Sequence, residues 1–130
     1  MVKRAIPLLL VFLGIAFTAP AQGQALSLLC AWPNNPCCDT IFDINLATGR
    51  VTWYPTALPS HILGPGTAQI TDQRISWSWR FPNNRFGADN FVIDRIRGIV
   101  TVCGPDDASG KFECMDPQPC QPASAVKPKF

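Results

Sequence analysis

The sequence predicts an all-β domain, a small antiparallel sandwich or barrel of about seven short strands that is held together by disulfide bonds. Three observations lead to this class. Short segments that alternate apolar and polar residues recur at spacings of about ten residues. No segment after residue 25 shows sustained helical spacing of apolar residues, and only residues 68–73 are compatible with one short helical turn. Six cysteines, an even number, are typical of the disulfide framework of a small exported protein.

The chain begins with the three parts of an export signal. Two basic residues precede an uncharged apolar run over residues 6–17, and Ala19 and Ala21 supply the small residues that a signal peptidase recognises. The run is too short for the ~20 residues that cross a bilayer as a helix. We therefore expect residues 1–21 to be removed, with cleavage after Ala25 as the alternative. The expected product is secreted or periplasmic and has no membrane span.

Removal of the signal would leave a neutral domain. Of the 11 Lys and Arg residues two belong to the signal, so nine remain against nine Asp and Glu. A neutral surface offers no field that attracts a polyanion, and we expect no nucleic-acid partner. The remaining length suits a single domain, which we expect over residues 26–116. Residues 117–130 are rich in Pro, Gln, Ala, Ser and Lys and are expected to form a mobile tail.

The first half of the domain is predicted to contain three strands and a long loop. Residues 26–32 place Leu, Leu, Cys and Trp on one face and end in a Pro-Asn-Asn-Pro turn. Residues 40–45 and 50–54 are β-branched and aromatic and flank an Ala-Thr-Gly turn, which predicts a hairpin. Residues 55–66 hold three prolines and two glycines, so we expect a loop there.

The second half is predicted to contain four strands. Residues 75–81 give the clearest alternation, with Ile, Trp, Trp and Phe on a face that we expect to be buried. Residues 91–94 and 99–103 flank a turn at Gly98 and predict a second hairpin. Residues 111–115 form a last short strand.

The two predicted hairpins match each other position for position, 49 residues apart. An Asn or Asp at the strand end can accept hydrogen bonds from the backbone ahead of it, and Gly permits the turn. Two explanations of this match remain open. Either any hairpin with a turn of this length requires such residues, or the chain contains a structural repeat, two similar halves that close one core. The matching residues are Ile44, Asn45, Gly49, Val51 and Thr52 in the first hairpin and Ile93, Asp94, Gly98, Val100 and Thr101 in the second.

The order of these motifs resembles a group of small, uncharacterised exported proteins of Gram-negative bacteria. The motifs are a Cys-bearing first strand, the Ile-Asn/Asp hairpins, an Ala-x-Ile-Thr segment from Ala68, an Ile-x-Trp strand from Ile75, and a late Cys114. They cover about residues 28–114. The resemblance implies export and the all-β fold, and it assigns no functional residue.

The resemblance also implies a disulfide pairing. Cys30 and Cys114 would join the first and last strands, since each shares a strand face with apolar residues. Adjacent cysteines bond each other only with strain. Cys37 and Cys38 would therefore reach the remaining pair, Cys103 and Cys120. A zinc site is not expected, because no Cys-x-x-Cys pair occurs and the chain has one histidine.

No motif identifies a reaction, and we assign no catalytic residue and no cofactor. His61 is the only imidazole, and no Gly-x-Ser-x-Gly elbow accompanies it. The aromatic residues are the best lead, because exposed rings stack on sugars and anchor protein interfaces. Trp53 and Tyr54 point to opposite faces of their strand, so one should be exposed. We expect Trp32, Trp53, Tyr54 and His61, with the loop over residues 55–66, to bind a protein or an envelope glycan.

Two other functions remain open from the sequence. A small secreted hydrolase would need two carboxylates that face one cleft within about 10 Å of each other. A structural envelope protein would need no ligand at all. The carboxylates considered for the hydrolase are Asp43, Asp94, Asp106, Asp107, Glu113 and Asp116.

Overall fold

A computed structural model describes residues 24–32 and 39–123 of the chain. The signal over residues 1–21 and the pairing of Cys37 and Cys38 fall outside the described residues. Within the described part all strand pairs are antiparallel and no α-helix occurs, which confirms the all-β prediction. The strands number ten, more than the sequence predicts: β1 (Ala25–Cys30), β2 (Thr40–Asn45), β3 (Arg50–Pro55), β4 (Leu63–Thr67), β5 (Gln69–Ile70), β6 (Arg74–Trp79), β7 (Asp89–Asp94), β8 (Ile99–Pro105), β9 (Phe112–Cys114) and β10 (Gln118–Pro122).

The sheet nearly closes on itself as a barrel. Its strand order is β4-β3-β2-β1-β10-β8-β7-β6-β5, and β9 pairs with β8 outside this order. The two ends of the order, β4 and β5, are separated in the chain only by Ala68. One stretch of chain therefore pairs first with β3 and then with β6, and the inward-facing side chains form a single core.

Strand β4 lies within the segment that the sequence predicts as a loop. Its residues are Leu-Gly-Pro-Gly-Thr, which carry no alternation of apolar side chains. The physical reason is the close approach of Trp77: a Cβ on Gly66 would lie 2.9 Å from the indole Cδ1. Because glycine has no Cβ, the backbone of β4 can pass directly over this ring. The ring of Trp77 fills the space that an apolar side chain of β4 would otherwise occupy, and β4 therefore lacks the apolar alternation by which a strand is predicted.

Strand β10 corrects the prediction of a mobile tail from residue 117. Cys120 N donates to Gly98 O at 2.8 Å, and Ala31 N donates to Pro119 O at 3.0 Å. The segment is held between β1 on one side and β8 on the other. Its backbone pairing and its disulfide order it, although its side chains bury little apolar surface. Residues 124–130 lie outside the described part.

Strands β1–β2–β3 and β6–β7–β8 have the same topology and register. Each set contains a hairpin whose turn is held by one side chain: Asn45 Oδ1 accepts from Ala47 N and Thr48 N, and Asp94 Oδ1 accepts from Ile96 N and Arg97 N. These two halves favour the second interpretation of the hairpin match, a structural repeat. The aligned cross-strand pairs are Leu26–Ile44 and Ile44–Val51 in the first half and Ile75–Ile93 and Ile93–Val100 in the second.

Replacing Gly49 or Gly98 by alanine should destabilise the domain by unequal amounts. Both residues have positive φ, +81° and +68°, where an L side chain costs roughly 1–2 kcal/mol. At Gly49 a Cβ would also lie 2.6 Å from the carbonyl oxygen of Ala68, whereas at Gly98 the nearest atom, the oxygen of Cys120, is 3.4 Å away. We expect Gly98→Ala to lose about 1 kcal/mol and Gly49→Ala about 2–3 kcal/mol in urea unfolding. Equal losses would contradict the close contact at Gly49.

The core is built around four aromatic rings. Trp77 stacks on Phe91 with centroids 4.9 Å apart and planes 5° apart. Phe42 meets Trp77 edge-on at 5.6 Å, and Trp53 lies 5.1 Å from Phe91. The predicted burial of the β6 face is confirmed for Ile75 and Trp77, while Trp79 is half-buried against the core. The buried hydrophobic residues are Cys30, Phe42, Ile44, Val51, Trp53, Ile75, Trp77, Phe91, Ile93 and Val100.

The disulfide bonds are Cys30–Cys120 and Cys103–Cys114, so the predicted pairing is wrong. Each bond joins residues that face each other across an antiparallel strand pair, with Cα atoms 4.0 Å apart. Both are non-hydrogen-bonded pairs: the backbone hydrogen bonds are made by the neighbouring residues. In an antiparallel ladder the Cα atoms of such pairs approach each other most closely. A bond does join the first and last strands, as expected, but the last strand is β10 and not the strand that contains Cys114.

Candidate functional site

The longer connections lie together at one end of the barrel, which we call the mouth end. The antiparallel registers place the end of β1 beside the start of β2, and the end of β6 beside the start of β7. The connections after β1, β3, β6 and β8 therefore leave the same end of the sheet. The opposite end carries the short turns after β2, β5 and β7. Since loops held by a rigid scaffold commonly carry binding residues, the mouth end is the natural place to look for a site.

A pocket of about 190 Å³ opens at the mouth end. Several of its lining residues are the first or last of their strands: Thr40 begins β2, Pro55 ends β3 and Asp89 begins β7. Most of the surface that it offers is aromatic or aliphatic, as in many ligand pockets at barrel mouths. Its lining residues are Trp32, Thr40, Trp53, Pro55, Leu63, Phe81, Asp89, Phe91 and Val102.

Among the described residues that line the pocket, Asp89 is the only ionisable one. Burial raises the pKa of its carboxyl group above the usual range, and the negative charge of Asp107 raises the pKa further. In the described ranges no hydrogen-bond donor and no cation is paired with this carboxylate. The side chain packs on Gly104 of the neighbouring strand, where any Cβ would collide with it. The fold therefore makes room for a carboxylate at the pocket to which no residue of the described ranges is paired.

Large apolar side chains are exposed around this opening. In the described part five such residues are exposed, and four of them belong to the mouth end. Leu58 and Ile62 lie between β3 and β4, Phe86 lies between β6 and β7, and Phe112 begins β9. The fifth, Ile96, lies in the turn at the opposite end. Exposed apolar side chains concentrated at one end of a small domain are typical of an interaction surface.

The binding residues predicted from the sequence lie in different parts of the structure. Trp53 is 3% exposed and belongs to the core, and it also lines the pocket. Trp32 is half-buried and lines the pocket too. Tyr54 is half-buried on the outer face of β3, away from the pocket lining. His61 is exposed in the loop after β3, where its backbone N donates to Leu58 O at 2.9 Å.

Three of the carboxylates considered for hydrolysis, Asp43, Asp94 and Asp106, lie in separate places. Asp43 accepts a hydrogen bond from Ser27 on the outer wall. Asp94 holds the turn at the opposite end, where the backbone N–H of Arg97 is the main cause of its lowered pKa and the Arg97 side chain the next. Asp106 accepts hydrogen bonds from the backbone N–H and the hydroxyl of Ser109, which lower its pKa.

The sequence interpretation missed Asp89. The predicted strand began at residue 91, so Asp89 fell into the preceding turn. Had the strand been extended by one alternation, Asp89 would have shared the inward face with Phe91 and Ile93. A carboxylate on the inward face of a strand is the signal that could have found it, because even partial burial of a carboxylate is costly unless it serves a function or a partner.

Comparison of the chain with protein-family models, curated proteins and solved structures finds no significant match. Within residues 24–32 and 39–123 no helix is long and apolar enough to cross a membrane. The same residues contain no cluster of three or more His, Cys, Asp or Glu side chains that could hold a metal ion.

Proposed function

We propose that the chain is an exported, non-catalytic binding domain that docks a protein partner at its mouth end. Export is supported by the basic, apolar and small-residue segments at the start of the sequence. The two cross-strand disulfides also support it, because such bonds persist in oxidising compartments. The rigid, disulfide-bonded barrel serves as the scaffold and the mouth-end connections form the contact surface.

One observation carries the proposal: the exposed apolar residues Leu58, Ile62, Phe86 and Phe112 belong to the end of the barrel that also holds the aromatic pocket. Protein interfaces combine an apolar centre with a polar rim. Exposed polar residues of the described connections, among them Ser60, Asn83, Asp107 and Ser109, supply such a rim. A partner that covers the four side chains would remove them from water, which is the main favourable term in protein association.

A protein partner suits this surface better than an envelope glycan. Sugar recognition requires a flat exposed ring with several hydrogen-bonding groups beside it. Apart from the indole N–H groups, the described lining offers two polar side chains, Thr40 and Asp89, and the exposed large apolar residues of the mouth end are aliphatic or phenyl. Tyr54, which has both a ring and a hydroxyl, lies on the outer wall of β3.

A small hydrolase is the second candidate, and the proximity of Asp89 and Asp107 favours it. The negative charge of Asp107 contributes to the raised pKa of Asp89, so the two carboxyl groups interact. Two carboxyl groups with different environments can act as general acid and base. Release of reducing ends from envelope glycan, abolished by both Asp89→Asn and Asp107→Asn, would support this candidate in place of a binding domain.

The double substitution Leu58→Ser and Ile62→Ser should weaken binding of the protein partner. Each change deletes an exposed apolar side chain from the mouth end, and truncation of interface hot spots costs more than about 1 kcal/mol each. We expect co-purification of the partner from cell-envelope extract, with the disulfides intact, to fall about tenfold or more. The measurement is quantitative mass spectrometry of the protein retained on the immobilised domain.

Ile96→Ser is the matched control. Ile96 is 74% exposed, and it lies in the turn at the opposite end. The control variant should retain the same protein in the same amount as the wild type. If the double variant and the control retain equal amounts, the mouth end is not the docking surface and the proposal fails.

A further inference from the structure

The mouth pocket combines aromatic rings with one carboxylate. Four of the described lining residues are aromatic, and one, Asp89, is ionisable. The face of an aromatic ring attracts a cation through the ring quadrupole, and a carboxylate supplies the opposite charge. Aromatic rings around an ammonium group form a recurring recognition site for cations. The aromatic lining residues are Trp32, Trp53, Phe81 and Phe91.

No Lys or Arg side chain of the described residues pairs with the carboxylate of this pocket. The ion pair that the described residues contain joins Arg97 to Asp94, at the opposite end of the barrel. Two arginines lie in the connection between β6 and β7 near the mouth, and both make other contacts. The Nε of Arg80 donates to Asn84 O at 3.1 Å, and the guanidinium of Arg85 lies 4.9 Å from the ring centroid of Phe86. Asp107 adds a second negative charge near Asp89.

The size of the pocket sets the size of its occupant. Pockets for drug-sized ligands enclose about 300–1,000 Å³. A volume of about 190 Å³ is enough for one long side chain and too small for an oligosaccharide. Lysine and arginine fit this shape and chemistry, because each has an apolar stem that packs on rings and a charged end that requires a counter-charge.

We infer that the mouth pocket receives one basic side chain, lysine or arginine, from the protein partner. The stem packs against the pocket rings and the charged group pairs with Asp89. The inference rests on the proposed function, since the mouth end must be the docking surface. It adds the chemistry of the residue at the centre of the interface and names a partner for a carboxylate that the described residues leave without one.

The test uses small probes of the side chain with the disulfide-intact domain. N-acetyl-lysine N-methylamide and N-acetyl-arginine N-methylamide carry the charge, and N-acetyl-norleucine N-methylamide is the neutral match in shape. Titration is followed by the chemical shifts of the Trp32 and Trp53 indole N–H groups. At least one basic probe should bind saturably, about tenfold more tightly than norleucine. Absence of saturable binding of both basic probes, or equal binding of the neutral probe, would overturn the inference.

Asp89→Asn removes the proposed counter-charge with little change in shape. This variant should lose the preference for the basic probe, about tenfold, while Asp72→Asn at the opposite end leaves it unchanged. Asp89→Asn should fold at least as well as the wild type at neutral pH. Burial raises the pKa of Asp89, so its ionised form opposes folding above that pKa and the amide removes this cost. A variant that keeps the preference for the basic probe contradicts the inference.

The two proposals fail in different ways. If Asp89→Asn retains the partner and Leu58→Ser with Ile62→Ser loses it, the docking surface stands and the basic side chain is rejected. If neither change affects retention of the partner, the docking surface itself is rejected.

Discussion

Replacing both Cys30 and Cys120 by alanine should lower the free energy of unfolding by about 4 kcal/mol. The bond closes a loop with a sequence separation of 90, and a long loop has much conformational freedom in the unfolded chain that the bond removes. It also joins β1 to β10, the strand pair that connects the first half of the barrel to the second. For a small domain with a total stability of about 5–15 kcal/mol, this is a large fraction.

The second disulfide is the matched control for the first. Cys103 and Cys114 have a sequence separation of only 11, so alanine at both positions should cost less, about 3 kcal/mol or below. Urea unfolding of the two double variants measures the difference. Peptide mapping without reduction should recover Cys30 linked to Cys120 and Cys103 linked to Cys114. A larger loss from the shorter loop, or a recovered Cys30–Cys114 peptide, would contradict the pairing described here.

The hairpins were predictable from the sequence because their signals are local. Asn45 and Asp94 accept hydrogen bonds from amides two and three residues ahead, so the residues that build each turn are adjacent in the chain. The same holds for the β6 face, where alternation alone identifies Ile75 and Trp77 as buried. Such features depend on neighbouring residues and are visible in a single sequence.

The elements that the sequence failed to predict are ordered by distant residues. β4 has no apolar alternation because Trp77 fills the space over Gly66. β10 has the Pro- and Gln-rich composition of a mobile tail. It forms a strand because β1 and β8 lie on either side of it and pair with its backbone. The disulfide pairing follows from the position of β10, so missing this strand also made the pairing wrong. For the candidate site, the sequence located part of the mouth-end loop and missed Asp89, whose burial depends on Gly104 across the sheet.

The repeat and the candidate site are related through the two ends of the barrel. At one end the two halves use the same short turn, with an Asn or Asp acceptor and a glycine of positive φ. At the mouth end the connections after β1 and β6, residues 31–39 and 80–88, have the same length and share a Pro-Asn-Asn segment, and they differ in the residues that follow it. The connections after β3 and β8, residues 56–62 and 106–111, differ in both length and composition. A repeated framework whose mouth-end connections have partly diverged favours a division between stability and binding. The turns close the hairpins, and the mouth-end connections are free to carry a specific surface.

Phe42→Ala should be the most destabilising single truncation in the core, by about 4 kcal/mol. Phe42 is fully buried and its ring contacts Trp53, Trp77 and Phe91 at centroid distances of 5.6–6.3 Å. These three rings belong to β3, β6 and β7, so the cavity would open between both halves of the barrel. The close packing of the Trp77 and Phe91 rings leaves little room for the surrounding side chains to fill it.

Phe112→Ala is the control, because it makes the same chemical change at a side chain that is 61% exposed. Urea unfolding should show a loss of less than about 0.5 kcal/mol for this variant. The comparison separates the loss of core packing from the general effect of removing a phenyl ring. Similar losses at the two positions would mean that Phe42 does not link the two halves, and that the disulfide and the backbone pairing hold them together without the aromatic core.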